Sequence, residues 1–289
     1  MEEQTKKTQS SAPIGIFDSG IGGLTVLKAM HERLPREDLI YIGDLGRSPY
    51  GTKSRETIQV YARQITRYLL SRRVKLIIIA CNTASAAATW TVQDLAGPVP
   101  VLEVVGHGSR LALDDLGYLG DRESRIGVLG TRTTVTSDVY RDRLLSLAAE
   151  RGMPPPLIQQ KACPLFVPLV EEGLWRGQIP DLVAGLYLEE MKAFSPQVVI
   201  LGCTHYPLLK ETIAKALPAG TRLKDSAPSV AETAAEILEA EALLSDRERA
   251  GSLEFHCSDS EDTFRLQAGR FLDMPLDIVH HIDLDAWGN

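Results

Sequence analysis

Two short aliphatic runs, Leu76–Ala80 and Val198–Gly202, each end on a cysteine that opens a polar stretch suited to starting a helix. The first reads Cys81-Asn82-Thr83-Ala84-Ser85, the second Cys203-Thr204-His205-Tyr206-Pro207. Runs this short and this rich in β-branched residues predict buried strands. In an open α/β sheet, the turn after such a strand lies at the carboxyl edge, where ligands bind. Two thiols delivered to such edges by equivalent units point to a symmetric reaction, with one acid–base group on each side of a substrate.

The rest of the chain has the same rhythm. Pro13–Phe17, Leu39–Ile42, Val99–Val104, Ile126–Leu129 and Leu157–Lys161 read as further strands. Between them, helical patterns fall near Leu24–Arg33, Ser54–Arg72, Ala84–Leu95, Ser109–Leu116, Thr136–Arg151, Asp181–Phe194 and Leu208–Leu217. This βαβα alternation predicts an α/β fold with mainly parallel sheets covered by helices. Ile14-Gly15-Ile16-Phe17-Asp18-Ser19 resembles Ile126-Gly127-Val128-Leu129-Gly130-Thr131, and each precedes one cysteine unit by a comparable distance. A repeat of that kind implies two similar halves with the site between them. Beyond Arg222, a helix near Val230–Leu244 and strand-like pieces at Leu253–Cys257 and Leu276–His280 are too short for a third domain and are expected to complete the first sheet.

Composition narrows the function. The chain has 289 residues, enough for about two domains. Its net charge of −7 argues against a nucleic-acid or anionic-membrane surface. No apolar stretch approaches the roughly 18 residues that span a bilayer. Residues 1–12 lack the apolar core of a secretory signal and read as a disordered polar tail. Four cysteines without an export signal suggest free thiols in the cytoplasm.

Cys163 and Cys257 lack the strand-to-helix setting and read as packed core thiols. Asn82, Thr83 and Ser85 are good N-cap residues, and Pro207 suits a first helical turn. A thiol at a helix N-terminus meets free amides and the positive dipole end, which favour the thiolate. His205, two residues past Cys203, reads either as a structural histidine or as a proton partner. Asp18 ends the first strand and reads either as a turn residue or as a carboxylate beside Cys81. The glycine-rich turn Gly20-Ile21-Gly22-Gly23-Leu24-Thr25 breaks the dinucleotide fingerprint at Thr25. Cys203 and His205 are too close in sequence for a usual zinc pair.

Taken together, several segments resemble the cofactor-independent glutamate racemases of bacterial cell-wall synthesis. They are Ile16–Val26, Gly43-Asp44 through Arg47 to Pro49-Tyr50-Gly51, Ala80–Ala86, Gly130-Thr131 through Val135 and Ser137, Val167–Gly173 and Gly202–Leu208. The resemblance implies two α/β domains related by a pseudo-two-fold axis, residues 13–106 with 222–289 and residues 107–221, with the active site in the cleft between them. It implies Cys81 and Cys203 as the catalytic acid–bases, assisted by Asp18, His205 and Glu171. Asp18, Ser19, Tyr50, Gly51, Asn82, Thr83, Thr131, Thr134, Thr204 and His205 would hold glutamate, with no metal or other cofactor. A homodimer and a role in supplying D-glutamate for peptidoglycan follow from the same likeness. Leu45 stands where the family usually has Thr, and Ala227 where it usually has Gly.

An amino-acid α-proton is far less acidic than a thiol, so inversion needs a deprotonated base on one face and a protonated acid on the other. Rival readings are an aspartate or other racemase of this plan, a thiol redox protein, and a non-catalytic binding protein on the same scaffold.

Overall fold

In the computed structural model, residues 9–116, 123–272 and 275–288 are described. The chain divides into two compact units, Met1–Val104 with Ala227–Asn289, and Val105–Ser226.

The first unit is built on a parallel six-stranded sheet in the order β10-β9-β2-β1-β3-β4. Its strands are β1 (Ile14–Asp18), β2 (Leu39–Gly43), β3 (Leu76–Ile79), β4 (Val101–Glu103), β9 (Leu253–Cys257) and β10 (His280–His281). Helices α1 (Leu24–Arg33), α2 (Arg55–Ser71) and α3 (Asn82–Ala96) make the crossovers. Every residue of β1, β2 and β3 is buried, which explains why their sequences are continuous apolar runs rather than alternating ones. Gly15 lets α2 lie close to the sheet, because a Cβ there would sit 2.8 Å from Cδ2 of Leu69. Helix α2 starts on Ser54, whose hydroxyl accepts the Thr57 amide at 3.2 Å.

A buried ion pair sits near the amino ends of these strands. Lys75 Nζ meets the Glu37 carboxylate with both side chains almost wholly buried. The same ammonium donates to the carbonyls of Ser10 and Leu243 at 2.6 and 2.8 Å, while Glu37 accepts the Ser245 amide at 2.8 Å. This corrects part of the expected tail. Residues 1–8 lie outside the described residues, but residues 9–12 form a turn held by Lys75, with Ser10 buried.

The second unit contains a parallel four-stranded sheet in the order β6-β5-β7-β8. Its strands are β5 (Arg125–Gly130), β6 (Leu157–Ala162), β7 (Val198–Gly202) and β8 (Arg222–Lys224). Helices α4 (Val104–Leu116), α5 (Arg132–Thr136), α6 (Val139–Glu150), α7 (Phe166–Glu171), α8 (Gln178–Phe194) and α9 (Lys210–Ala216) lie along the chain, with α4 beginning at the unit boundary. Helices α10 (Ala227–Ala240) and α11 (Glu261–Leu272) belong to the first unit.

The two sheets share one topology. The run β2-β1-β3-β4 has the same connectivity as β6-β5-β7-β8. Ile14 pairs with Leu76 in the first sheet, and Ile126 pairs with Val198 in the second. The sequence repeat beginning at Ile14 and Ile126 is therefore a repeat of strand register as well.

Four expectations need correction. Residues 222–224 pair with β7, so they belong to the second sheet rather than to the first unit. The helix expected over Thr136–Arg151 starts three residues later, at Val139, after Asp138, which takes a left-handed backbone conformation at φ 54°; Thr136 instead closes the short α5. The expected strand Leu276–His280 is only His280–His281. Cys163 does lie in a strand-to-helix turn, directly after β6 and ahead of α7.

Candidate active site

The carboxyl edge of each sheet gathers its own set of predicted residues. In the first unit, β1 ends on Asp18 and β3 leads through Ala80 to Cys81. Asp18 is fully buried and its carboxylate accepts the amides of Gly20 and Gly23 at 3.3 and 3.0 Å. The glycine turn therefore orients a carboxylate rather than a phosphate. Gly23 is tight for the same reason, since a Cβ there would lie 2.6 Å from that of Asp18 and 2.9 Å from that of Ala80.

Cys81 is the N-cap of α3, and its sulfur accepts the Ala84 amide at 3.4 Å. The Cys81 thiol lies 3.6 Å from Ser19 Oγ, to which it donates. Burial pushes Cys81 up to about 12, and the Asp18 carboxylate adds to this, while the Ala84 and Ser19 contacts pull the other way. The helix start was expected to favour a thiolate; in the free protein, burial beside an anion wins and the group is a thiol. Asn82 and Thr83 follow on the first turn of α3, both buried.

Tyr50 and Gly51 lie in a one-turn 3-10 helix, Tyr50–Thr52. The Tyr50 hydroxyl is committed to the Asp44 carboxylate. Asp44 was not singled out from sequence, yet it organises this edge. It is fully buried, accepts Arg47 Nε at 2.7 Å and Ser258 Oγ at 2.6 Å, and so joins the turn to the C-terminal segment. It follows the carboxyl end of β2, and the same edge rule that found Cys81 would have found it. Leu45 is half-buried in the adjacent 3-10 turn and Ala227 is buried at the start of α10.

In the second unit, Thr131 caps α5, its hydroxyl accepting the Thr134 amide at 3.3 Å and lying 3.0 Å from Thr134 Oγ1. Cys203 follows β7, and its sulfur lies 3.9 Å from His205 Nδ1. His205 Nε2 is 3.1 Å from Glu171 Oε1, at the end of α7. Burial works against the His205 imidazolium, but hydrogen bonds and negative charge from Cys203 and Glu171 outweigh it and push the group up to about 10. His205 therefore holds its proton at neutral pH and is the positive partner of the Cys203 sulfur. Thr204 is buried beside them.

Tyr206 supports this turn from behind, its hydroxyl donating to the carbonyls of Gly130 and Cys163 at 3.0 and 2.9 Å. Cys163 is fully buried, and burial pushes its thiol up to about 12, with Cys203 adding to the rise. Cys257 is also a buried free thiol. Among the described residues, no group of three histidine, cysteine or acidic side chains could hold a metal ion, and no helix is long and apolar enough to cross a membrane.

The two thiols occupy equivalent places. Cys81 lies five residues beyond Leu76, the partner of Ile14, and Cys203 lies five residues beyond Val198, the partner of Ile126. By the same register, Ser19 corresponds to Thr131, and Asp44 corresponds to Cys163.

The Asp/Glu/Hydantoin racemase family profile matches residues 14–234. The glutamate racemase of Syntrophus aciditrophicus is 42% identical over 279 residues, covering 96% of this chain and 99% of that protein. The crystal structure of the Francisella tularensis glutamate racemase in complex with D-glutamate superposes with a TM-score of 0.85 at 38% identity, covering 96% of this chain and 99% of that one. The Thermus thermophilus glutamate racemase in complex with beta-chloro-D-alanine gives a TM-score of 0.80 at 42% identity, covering 96% and 98%. The chain belongs to the Asp/Glu/Hydantoin racemase family.

Proposed function

We propose that the protein interconverts L- and D-glutamate by a two-thiol proton transfer that requires no metal, pyridoxal phosphate or nucleotide. The observation that carries the mechanism is the matched register of Cys81 and Cys203 at the carboxyl edges of two sheets of one topology. The choice of glutamate follows the relatives at about 40% identity over nearly the full chain, which are glutamate racemases.

The two edges are chemically unequal, as a directional proton transfer needs. Cys81, held as a thiol by burial and Asp18, is the acid in the resting protein. Cys203, whose sulfur lies 3.9 Å from the proton-bearing His205, takes the part of the base when a substrate is bound. One sulfur takes the α-proton from one face while the other gives its proton from the opposite face. Productive transfer places each sulfur roughly 3–3.5 Å from the α-carbon. The product state then has the roles exchanged, ready for the opposite enantiomer. Asp18 on one side and the His205–Glu171 pair on the other assist the transfer.

Ser19, Gly51, Asn82, Thr83, Thr131, Thr134 and Thr204 hold the substrate and offset the charge that grows on its α-carboxylate. Tyr50 serves through its turn. The D-glutamate formed supplies peptidoglycan synthesis in the cytoplasm, and the working form is a homodimer.

The test replaces Cys81 or Cys203 by Ser and follows circular dichroism of each glutamate enantiomer. Loss of racemisation in both variants, with the fold retained, supports the scheme; near-normal racemisation in either one refutes it. Activity that survives dialysis against a chelator supports the metal-free reading, and activity restored only by added metal overturns it.

A further inference from the structure

Helix α8 buries Ala184, Leu188 and Met191 and turns a second apolar stripe outward. Ile179, Leu182 and Leu186 recur at spacings of three and four, so they share one face. They are 55%, 69% and 79% exposed. Leu165 borders the stripe at 53% exposure, its amide donating to the Tyr187 hydroxyl oxygen at 3.3 Å. Single exposed leucines are ordinary, but an aligned group of this size marks an interaction surface.

We propose that this face of α8 is where two copies of the chain pair, antiparallel, about a two-fold axis passing between Leu182 and Val183. The proposal rests on the homodimer put forward above and adds the face through which it forms. Pairing across a two-fold axis requires a surface that is complementary to itself, and three features of α8 satisfy this. About that axis, Ile179 meets Leu186 of the second copy, and Leu182 meets its Val183. The charges also complement one another: exposed Arg176 stands before the helix, and exposed Glu189 and Glu190 stand in its last turns. The axis brings Arg176 toward Glu189 of the second copy. A parallel pairing would instead put the glutamates against their own counterparts. Finally, Gly185 is exposed and a Cβ there would meet nothing within 4 Å, so the backbones can approach closely at this point.

The contact of Arg176 with Glu211 at 3.1 Å does not hold it back, since both side chains are about 70% exposed and such surface pairs contribute little. An apolar centre of leucine and isoleucine with an Arg–Glu rim is the usual anatomy of a specific interface.

The experiment is sedimentation velocity on the full chain from about 1 to 100 μM, the range suited to an interface near the lower size limit of about 1,200 Å². The wild type is expected to dimerise, and Leu186→Glu to weaken dimerisation at least tenfold with unchanged far-UV circular dichroism. Arg176→Glu and Glu189→Arg each place like charges across the axis and weaken self-association several-fold. Mixed together, these two variants form a heterodimer, because both cross-axis pairs are then opposite in sign.

A monomeric wild type over the whole range overturns the homodimer and this face with it. A wild-type dimer that ignores Leu186→Glu, or the absence of heterodimer on mixing, overturns the face and leaves the homodimer standing. Racemisation measured on the same samples reports separately on the two-thiol reading, since none of these residues belongs to the catalytic site.

Discussion

Replacing Glu171 by Gln tests how the second edge keeps its proton. The carboxylate lies 3.1 Å from His205 Nε2, and His205 is pushed up to about 10. A hydrogen bond to a charged group contributes about 1.5–3 kcal/mol, and one pKa unit corresponds to about 1.4 kcal/mol. The Glu171 side chain is 30% exposed, so solvent screening favours the low end of that range. Glu171→Gln should therefore lower His205 by about one unit, to about 9. If the imidazolium is needed in turnover, the alkaline limb of the pH–rate profile moves down by the same amount. At pH 7 the variant should run near the wild-type rate, and at pH 10 it should be about fivefold slower, by simple titration of a group moved from about 10 to about 9.

Stability follows the same sign. A raised histidine stabilises the fold fully below its unfolded value near 6.5, and that contribution is lost as pH rises through about 10. In the variant the loss is complete about one unit earlier. The assay is racemisation by circular dichroism from pH 6 to 10.5, paired with an NMR titration of the His205 ring. An unmoved alkaline limb, or a uniform loss of rate at every pH, would refute the assignment.

Other consequences are open to direct measurement. Lys75→Met leaves Glu37 as a buried, unpaired charge, which should cost about 3–5 kcal/mol; calorimetry should show a Tm lower by roughly 6–20 °C, at 2–4 °C per kcal/mol. An unchanged Tm would show that the pair does not hold the amino edge of the first sheet. Gly23→Ala drives a Cβ against Asp18 and Ala80, so kcat/KM should fall more than about 100-fold while the fold survives, as a small misplacement of a catalytic group can cost that much; wild-type activity would remove Asp18 from the mechanism. Cys81, pushed up to about 12, should alkylate slowly at pH 8 in the free protein. Site-resolved mass spectrometry that found rapid labelling there would contradict its role as resting acid.

Much of the fold was legible because buried parallel strands write themselves as uninterrupted apolar runs. β9 and α1 fall on Leu253–Cys257 and Leu24–Arg33, where pattern alone placed them. The repeat starting at Ile14 and Ile126 was legible for the same reason. What escaped depends on contacts remote in sequence. β8 is three residues long with no apolar run, and only its pairing with β7 defines it. Asp44 becomes an organising residue through Ser258, 214 positions away. The protonation of Cys81 was misread because the helix start is a local signal, whereas burial is a property of the whole fold.

The most direct trial runs each enantiomer in deuterated water and reads the α-position of both pools at low conversion by NMR. Opposed thiols should place solvent deuterium in the newly formed enantiomer and leave recovered starting material protiated. Comparable deuterium in both pools from the outset would mean a single group working on both faces, and the pairing of Cys81 with Cys203 as acid and base would be wrong.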